Sequence, residues 1–128
     1  EAGIALRDDY VVTRPFGAKA GAKGIDQLLA LPDPPTAVFG YSDEIAVSAL
    51  HRLHARGIAV PAQMSEVGVD GHPLAELFGL TTVVQRVDDQ ARLAGEMVLR
   101  RLREDPHDNP SVVLEPELAV RGTTAPPP

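Results

Sequence analysis

The sequence is 128 residues long, 44% hydrophobic, and carries a net charge of −6. That length and apolar content suit one modest domain with its own core and exclude wholesale disorder. No Lys/Arg block is present to bind nucleic acid, no run of about 18 apolar residues is present to cross a membrane, and the absence of cysteine excludes disulfides and thiolate metal sites.

In chain order, Glu1-Ala2-Gly3-Ile4 has the form of a helix end, a Gly followed by an apolar residue, with no helix before it; this is the pattern of a chain cut from a larger one. Arg7-Asp8-Asp9 is a polar link, and Tyr10-Val11-Val12-Thr13 predicts a strand. After the loop Arg14-Pro15-Phe16-Gly17, the spacing of Gly21, Ile25, Leu28 and Leu29 predicts a helix from Ala18 to Leu31. Pro32-Asp33-Pro34-Pro35 stops it, because proline cannot continue a helix.

The stretch Thr36–Ala49 organises the chain. Thr36-Ala37-Val38-Phe39 predicts a strand covered on both faces. Gly40 ends it, and Ser42 or Asp43 caps a helix from Asp43 to Ala55, with Asp43 and Glu44 favoured by its dipole. Gly57 closes that helix.

Ser65–Val69 predicts the next strand, Leu74–Phe78 a helical turn, and Leu80–Val84 a further strand. The last helix runs from Asp88 to Arg103 with Val87, Ala91, Ala94, Val98 and Leu102 on one face. Val112-Val113-Leu114 and Leu118-Ala119-Val120 predict two short strands, and 123–128 is a frayed tail. This order predicts an α/β fold with a mostly parallel sheet flanked by helices.

No nucleophile elbow, phosphate-cradling loop or H-E-x-x-H is present, so the sequence offers no catalytic arrangement, cofactor motif or metal centre. His51 and His54 share a helix face, but no carboxylate is spaced to complete a metal site. His107 and Asp108 lie in a polar loop. The polar residues that stand out follow strands: Tyr41, Ser42 and Asp43, then Asp70, then Gln85, with Phe16 in the loop after the first predicted strand. In a parallel sheet such ends converge on one edge, where ligands bind. A carboxylate, an amide, a hydroxyl and an aromatic ring suit a small polyol. The candidate ligand set is therefore Phe16, Ser42, Asp70 and Gln85.

The runs Pro35-Thr36-Ala37-Val38-Phe39, Ser42-Asp43-Glu44-Ile45-Ala46, Gly57-Ile58-Ala59-Val60-Pro61, Ser65-Glu66-Val67-Gly68-Val69-Asp70, Leu80-Thr81-Thr82-Val83 with Gln85, and Leu118-Ala119-Val120-Arg121-Gly122-Thr123 stand in order along nearly the whole chain. Together they resemble the lactose-repressor (LacI/GalR) family of bacterial transcription regulators. The resemblance implies a periplasmic-binding-protein-like fold in which two α/β subdomains close around a small effector. It implies a cytoplasmic homodimer that meets operator DNA only through an N-terminal helix-turn-helix absent from this stretch.

By the same resemblance, residues 1–86 form the truncated C-terminal subdomain, and 87–122 supply a crossover helix and strands that pack on the other subdomain. Ser42, Asp70 and Gln85 take effector-contacting places, Phe16 falls near a stacking aromatic, and Val47, Ser48 and His51 fall on the dimerising helix. Gly71 stands where a second Asp is usual, Gly79 where Pro is common, and Ser42 where Asn is frequent. Two alternatives stand beside this reading: a sugar-binding protein of an ABC transporter, which shares the fold, and an α/β enzyme.

Overall fold

The computed structural model describes residues 3, 5–15, 17, 19–103 and 111–127. The elements follow as a 3₁₀ turn (Asp8–Tyr10), α1 (Ala20–Leu29), β1 (Ala37–Phe39), α2 (Asp43–Ala55), β2 (Ser65–Asp70), α3 (Pro73–Leu77), β3 (Thr81–Val84), α4 (Val87–Arg103) and β4 (Glu117–Ala119). The four strands make one sheet in the order β1-β2-β3-β4. β1, β2 and β3 run parallel, with Val38 opposite Glu66 and Asp70 opposite Val84; β4 pairs antiparallel with β3, Val83 opposite Leu118.

Helices α1 and α2 pack together on one face of the sheet. The core there is Ile25, Ala49, Leu53 and Met64. Gly21 makes the close crossing possible, since a side chain at that position would run into the Ile45 carbonyl of α2. The crossing is fastened at the surface by Asp26, which takes the Arg52 guanidinium at 2.7 Å and also pairs with Arg56. These two guanidinium hydrogen bonds hold the Asp26 carboxyl below its usual range. A second cluster of Ala46, Ala75 and Leu80 joins α2 to α3 and β3.

Four expectations need correction. Tyr10–Thr13 is no strand: the Tyr10 hydroxyl donates to the Asp33 carbonyl at 2.9 Å, and Arg7 pairs with the Asp33 carboxylate at 2.6 Å, so side chains fasten this segment beside α1. β1 is not covered on both faces; it is an edge strand among the described residues, and Phe39 is 66% exposed. Val112-Val113-Leu114 forms no ladder, because β4 occupies the free edge of β3; Val112 and Leu114 line a cavity together with Leu93 and Met97 of α4.

β4 thus lies in the same sheet as β1, β2 and β3. The stretch after Gly122 is not frayed at its start: Thr123 is buried, with its carbonyl accepting from Glu66 N–H at 2.7 Å and its hydroxyl accepting from Thr81 N–H at 2.9 Å. Helix α4, by contrast, has no buried residue, and Leu102 is 78% exposed. His107 and Asp108 lie outside the described residues.

Candidate functional site

Because β1, β2 and β3 are parallel, their carboxyl ends lie on one sheet edge, and Ser42, Asp70 and Gln85 follow or end those three strands. Asp70 and Gln85 are brought into direct contact. The Gln85 side-chain amide donates to Asp70 Oδ1 at 2.9 Å, and its backbone N–H donates to the Asp70 carbonyl at 3.1 Å. Asp70 sits at φ 129°, a backbone region costly for any residue with a side chain. Strain of this kind persists where surrounding structure imposes it, and it clusters at ligand sites.

The pair borders a cleft of about 600 Å³ that also touches Gly71, His72, Arg86, Asp88 and Asp89. That volume is within the range of small-molecule sites. Arg86 is tied to Asp89 at 2.6 Å. His72 accepts the Leu74 N–H at Nδ1 (3.1 Å), which leaves the proton on Nε2 as a donor. The wall thus offers carboxylates, an amide and an imidazole, a set that exchanges hydrogen bonds with vicinal hydroxyls.

The other candidates fall elsewhere. Ser42 shares the sheet edge but is buried; its hydroxyl accepts from Ile45 N–H at 3.3 Å and caps α2, so it does not border the cleft. Asp43 is wholly buried: Oδ2 accepts from His72 N–H at 2.7 Å and Oδ1 from the Thr82 hydroxyl at 2.6 Å. It is a tether between α2, β3 and the loop after β2, and Gly68 must lack a side chain to make room for it. Tyr41 is exposed beside a different, smaller cavity under α1. Phe16 lies outside the described residues.

On α2, Val47 packs against Ala46, Ala75 and Leu80. The Ser48 hydroxyl accepts from Ala22 N–H of α1 at 3.2 Å, so this hydroxyl is engaged by the chain's own α1. His51 is exposed.

Sequence reasoning missed His72, Arg86, Asp88 and Asp89. Their signal was adjacency, since all lie within a few residues of Asp70 or Gln85. It also missed Glu66, which is 1% exposed and whose two carboxyl oxygens have no hydrogen-bond partner among the described residues. Burial pushes that carboxyl up to about 8. Strand alternation gives no warning, because in Ser-Glu-Val-Gly-Val the apolar Val67 and Val69 fall on the opposite face from Glu66.

The family model of the periplasmic binding protein-like domain matches residues 1–124. The HTH-type transcriptional repressor PurR of Vibrio campbellii is 33% identical over 125 residues, 96% of this chain and 37% of the repressor. Among solved structures, a LacI transcriptional regulator from a Rhodococcus species is 36% identical with a TM-score of 0.75, over 84% of this chain and 40% of that one. The regulator CelR, solved as a cellobiose complex, is 30% identical with a TM-score of 0.85, over 95% of this chain and 38% of that one. The chain thus spans well under half the length of these relatives. With the parallel sheet and its strand-end cleft, the match along nearly all of its residues assigns it: the chain belongs to the periplasmic binding protein-like domain family, in the form carried by LacI-family transcriptional regulators.

Proposed function

We propose that this chain is the effector-binding and dimerising part of a cytoplasmic, sugar-responsive repressor, and that a small polyol or sugar binds against Asp70 and Gln85. The observation that carries this is the Asp70–Gln85 pair, fixed by two hydrogen bonds at the border of the cleft. Cellobiose in the CelR complex, a relative at 30% identity, supports a carbohydrate. Operator binding belongs to a helix-turn-helix elsewhere in the whole protein, and the domain itself catalyses nothing.

Two further parts of the reading follow from exposure. Residues 1–86 together with β4 form one subdomain, and the bare face of α4, with Val98 and Leu102, packs on the other subdomain, which supplies the second cleft wall. The dimer forms through the outward side of α2 at His51 and the neighbouring α3, where Leu77 and Phe78 are exposed. A twofold contact would place the same patch on both copies.

The test is calorimetry on the full-length protein with cellobiose and ribose. Binding that weakens at least tenfold in Asp70→Ala is the expected result. Unchanged affinity in that variant overturns the site. Sedimentation of Leu77→Asp checks the dimer: a monomer is expected, and an unaltered dimer moves the interface elsewhere.

A further inference from the structure

The first turn of α4 opens on the strand-end cleft: Arg86, Val87, Asp88 and Asp89 all border it. The start of a long helix draws anions, because its first N–H groups have no partner within the helix and its dipole is positive there. Here two carboxylates, Asp88 and Asp89, already occupy that turn. Arg86 is the only Lys or Arg among the described residues that border the cleft, and Asp89 takes its guanidinium at 2.6 Å. Arg92, one turn further along, is shared between Asp89 at 3.3 Å and Glu96 at 3.1 Å. Arg100, Arg101 and Arg103 sit in the last turn of α4, about 20 Å from its start.

The carboxylates keep acceptors to spare. Asp70 gives Oδ1 to Gln85, and its Oδ2 accepts no hydrogen bond among the described residues. Asp88 is exposed and has neither a hydrogen bond nor an ion pair among them. Asp70, Asp88 and Asp89 thus border the cleft against one guanidinium, which is itself engaged. A hydroxyl can donate to such a wall. A phosphate is repelled by it, and like charges brought together at a binding site suppress the wrong ligand.

We propose that Asp88 and Asp89 are specificity-determining residues of the effector site: they mask the start of α4 and Arg86, so the cleft admits an uncharged polyol and rejects its phosphate ester. This rests on the reading of Asp70 and Gln85 as the effector site, and adds the charge that the effector must lack. The two carboxylates also favour α4 through its dipole. That structural role alone would change the stability of a variant without creating a place for an anion.

The test is calorimetry on the full-length protein and on its double variant Asp88→Asn/Asp89→Asn. The probes are inorganic phosphate and two pairs, ribose with ribose 5-phosphate and glucose with glucose 6-phosphate. Anion binding elsewhere in the protein is common to parent and variant, so the difference between them reports the cleft. The double variant is expected to bind one phosphate per chain more than the parent, and this binding weakens as sodium chloride is raised. For any pair that binds the parent, the ester binds about tenfold or more weakly than the sugar, and the gap narrows in the double variant. Asp88→Asn alone keeps the Arg86–Asp89 pair and is expected to narrow it in part, while circular dichroism of both variants stays that of the parent. No additional phosphate in the double variant, or an ester that binds the parent as tightly as its sugar, overturns the proposal. A sugar that binds Asp70→Ala as tightly as the parent overturns the reading of Asp70 and leaves the phosphate count standing, so the two failures are distinguishable.

Discussion

Gln85 holds Asp70 twice, side chain to side chain at 2.9 Å and backbone to backbone at 3.1 Å. Asp70 ends β2 and Gln85 directly follows the adjacent parallel β3, so the contact closes the edge of the sheet as it positions the carboxylate. The amide also spends itself on Oδ1, which orients Asp70 while its backbone stays at φ 129°. Orientation of this kind is laid down before any ligand arrives.

Gln85→Ala separates the two roles of that contact. The side-chain bond is exposed, so its loss costs about 0.5–1 kcal/mol of stability. Effector affinity in the full-length protein falls at least tenfold, because Asp70 is left free to turn. Urea unfolding and calorimetry on the same variant measure both, and an affinity loss no larger than the stability loss refutes the orienting role.

Glu66 makes stability depend on pH. Its folded value of about 8 lies above the ordinary 4.5, so the folded chain holds a proton that the unfolded chain releases. The two states are equally protonated below about pH 4.5, and stability then falls as pH rises through that window, reaching its full penalty above about 8. The loss is about 1.4 kcal/mol for each pH unit within the window, as an upper bound. Glu66→Val should be more stable than the parent at pH 8 and nearly equal at pH 4.5. Parallel denaturation profiles for parent and variant would contradict the assignment.

Asp43→Ala strands the buried Thr82 hydroxyl and takes the acceptor from the part-buried His72 N–H. The expected cost is about 2–4 kcal/mol, read as a lower urea midpoint. Adding Thr82→Val removes one stranded donor and should recover part of the loss. A double variant as unstable as the sum of the singles would show that the two residues do not act together.

Thr123→Ala removes the hydroxyl that donates to the Glu66 carbonyl at 2.7 Å and accepts from Thr81 N–H. Both backbone groups are then left buried and unpaired, at a cost on the order of 2 kcal/mol. Thr123→Ser keeps the hydroxyl and should stay within about 0.5 kcal/mol of the parent. Thermal melting distinguishes them.

The elements that were legible in the sequence are those whose cause is local. Helix α2 runs from Asp43 to Ala55 as read, because Ser42 caps it and Gly57 follows it with positive φ. The strands at Ser65 and Thr81 announced themselves as short apolar runs, and strand direction put Asp70 and Gln85 on one edge. What the sequence hid depends on distant partners. Ser42 and Asp43 read both as a cap and as a site, because ligands sit at the ends of parallel strands; the cap is there at Ser42, but nothing local announces the Thr82 bond that claims Asp43. Tyr10–Thr13 looked like a strand by composition, but Asp33 holds its start by side-chain bonds. Thr123 looked like a loose end, since nothing near it in sequence announces the carbonyl of Glu66.

The pairing of β4 with β3 sets a timetable for synthesis. β3 finishes at Val84, and its partner begins only at Glu117, after the whole of α4. At a translation rate of about 5–20 residues per second, that interval lasts about 2–7 s. Throughout it, the Thr-Thr-Val-Val edge of β3 is open to a neighbouring nascent chain, with no charge or proline on it to discourage pairing. The delay therefore puts the hazard on the ribosome: polysomes crowded with this chain, more than the finished protein, are where misassembly concentrates, and slower initiation should raise soluble yield.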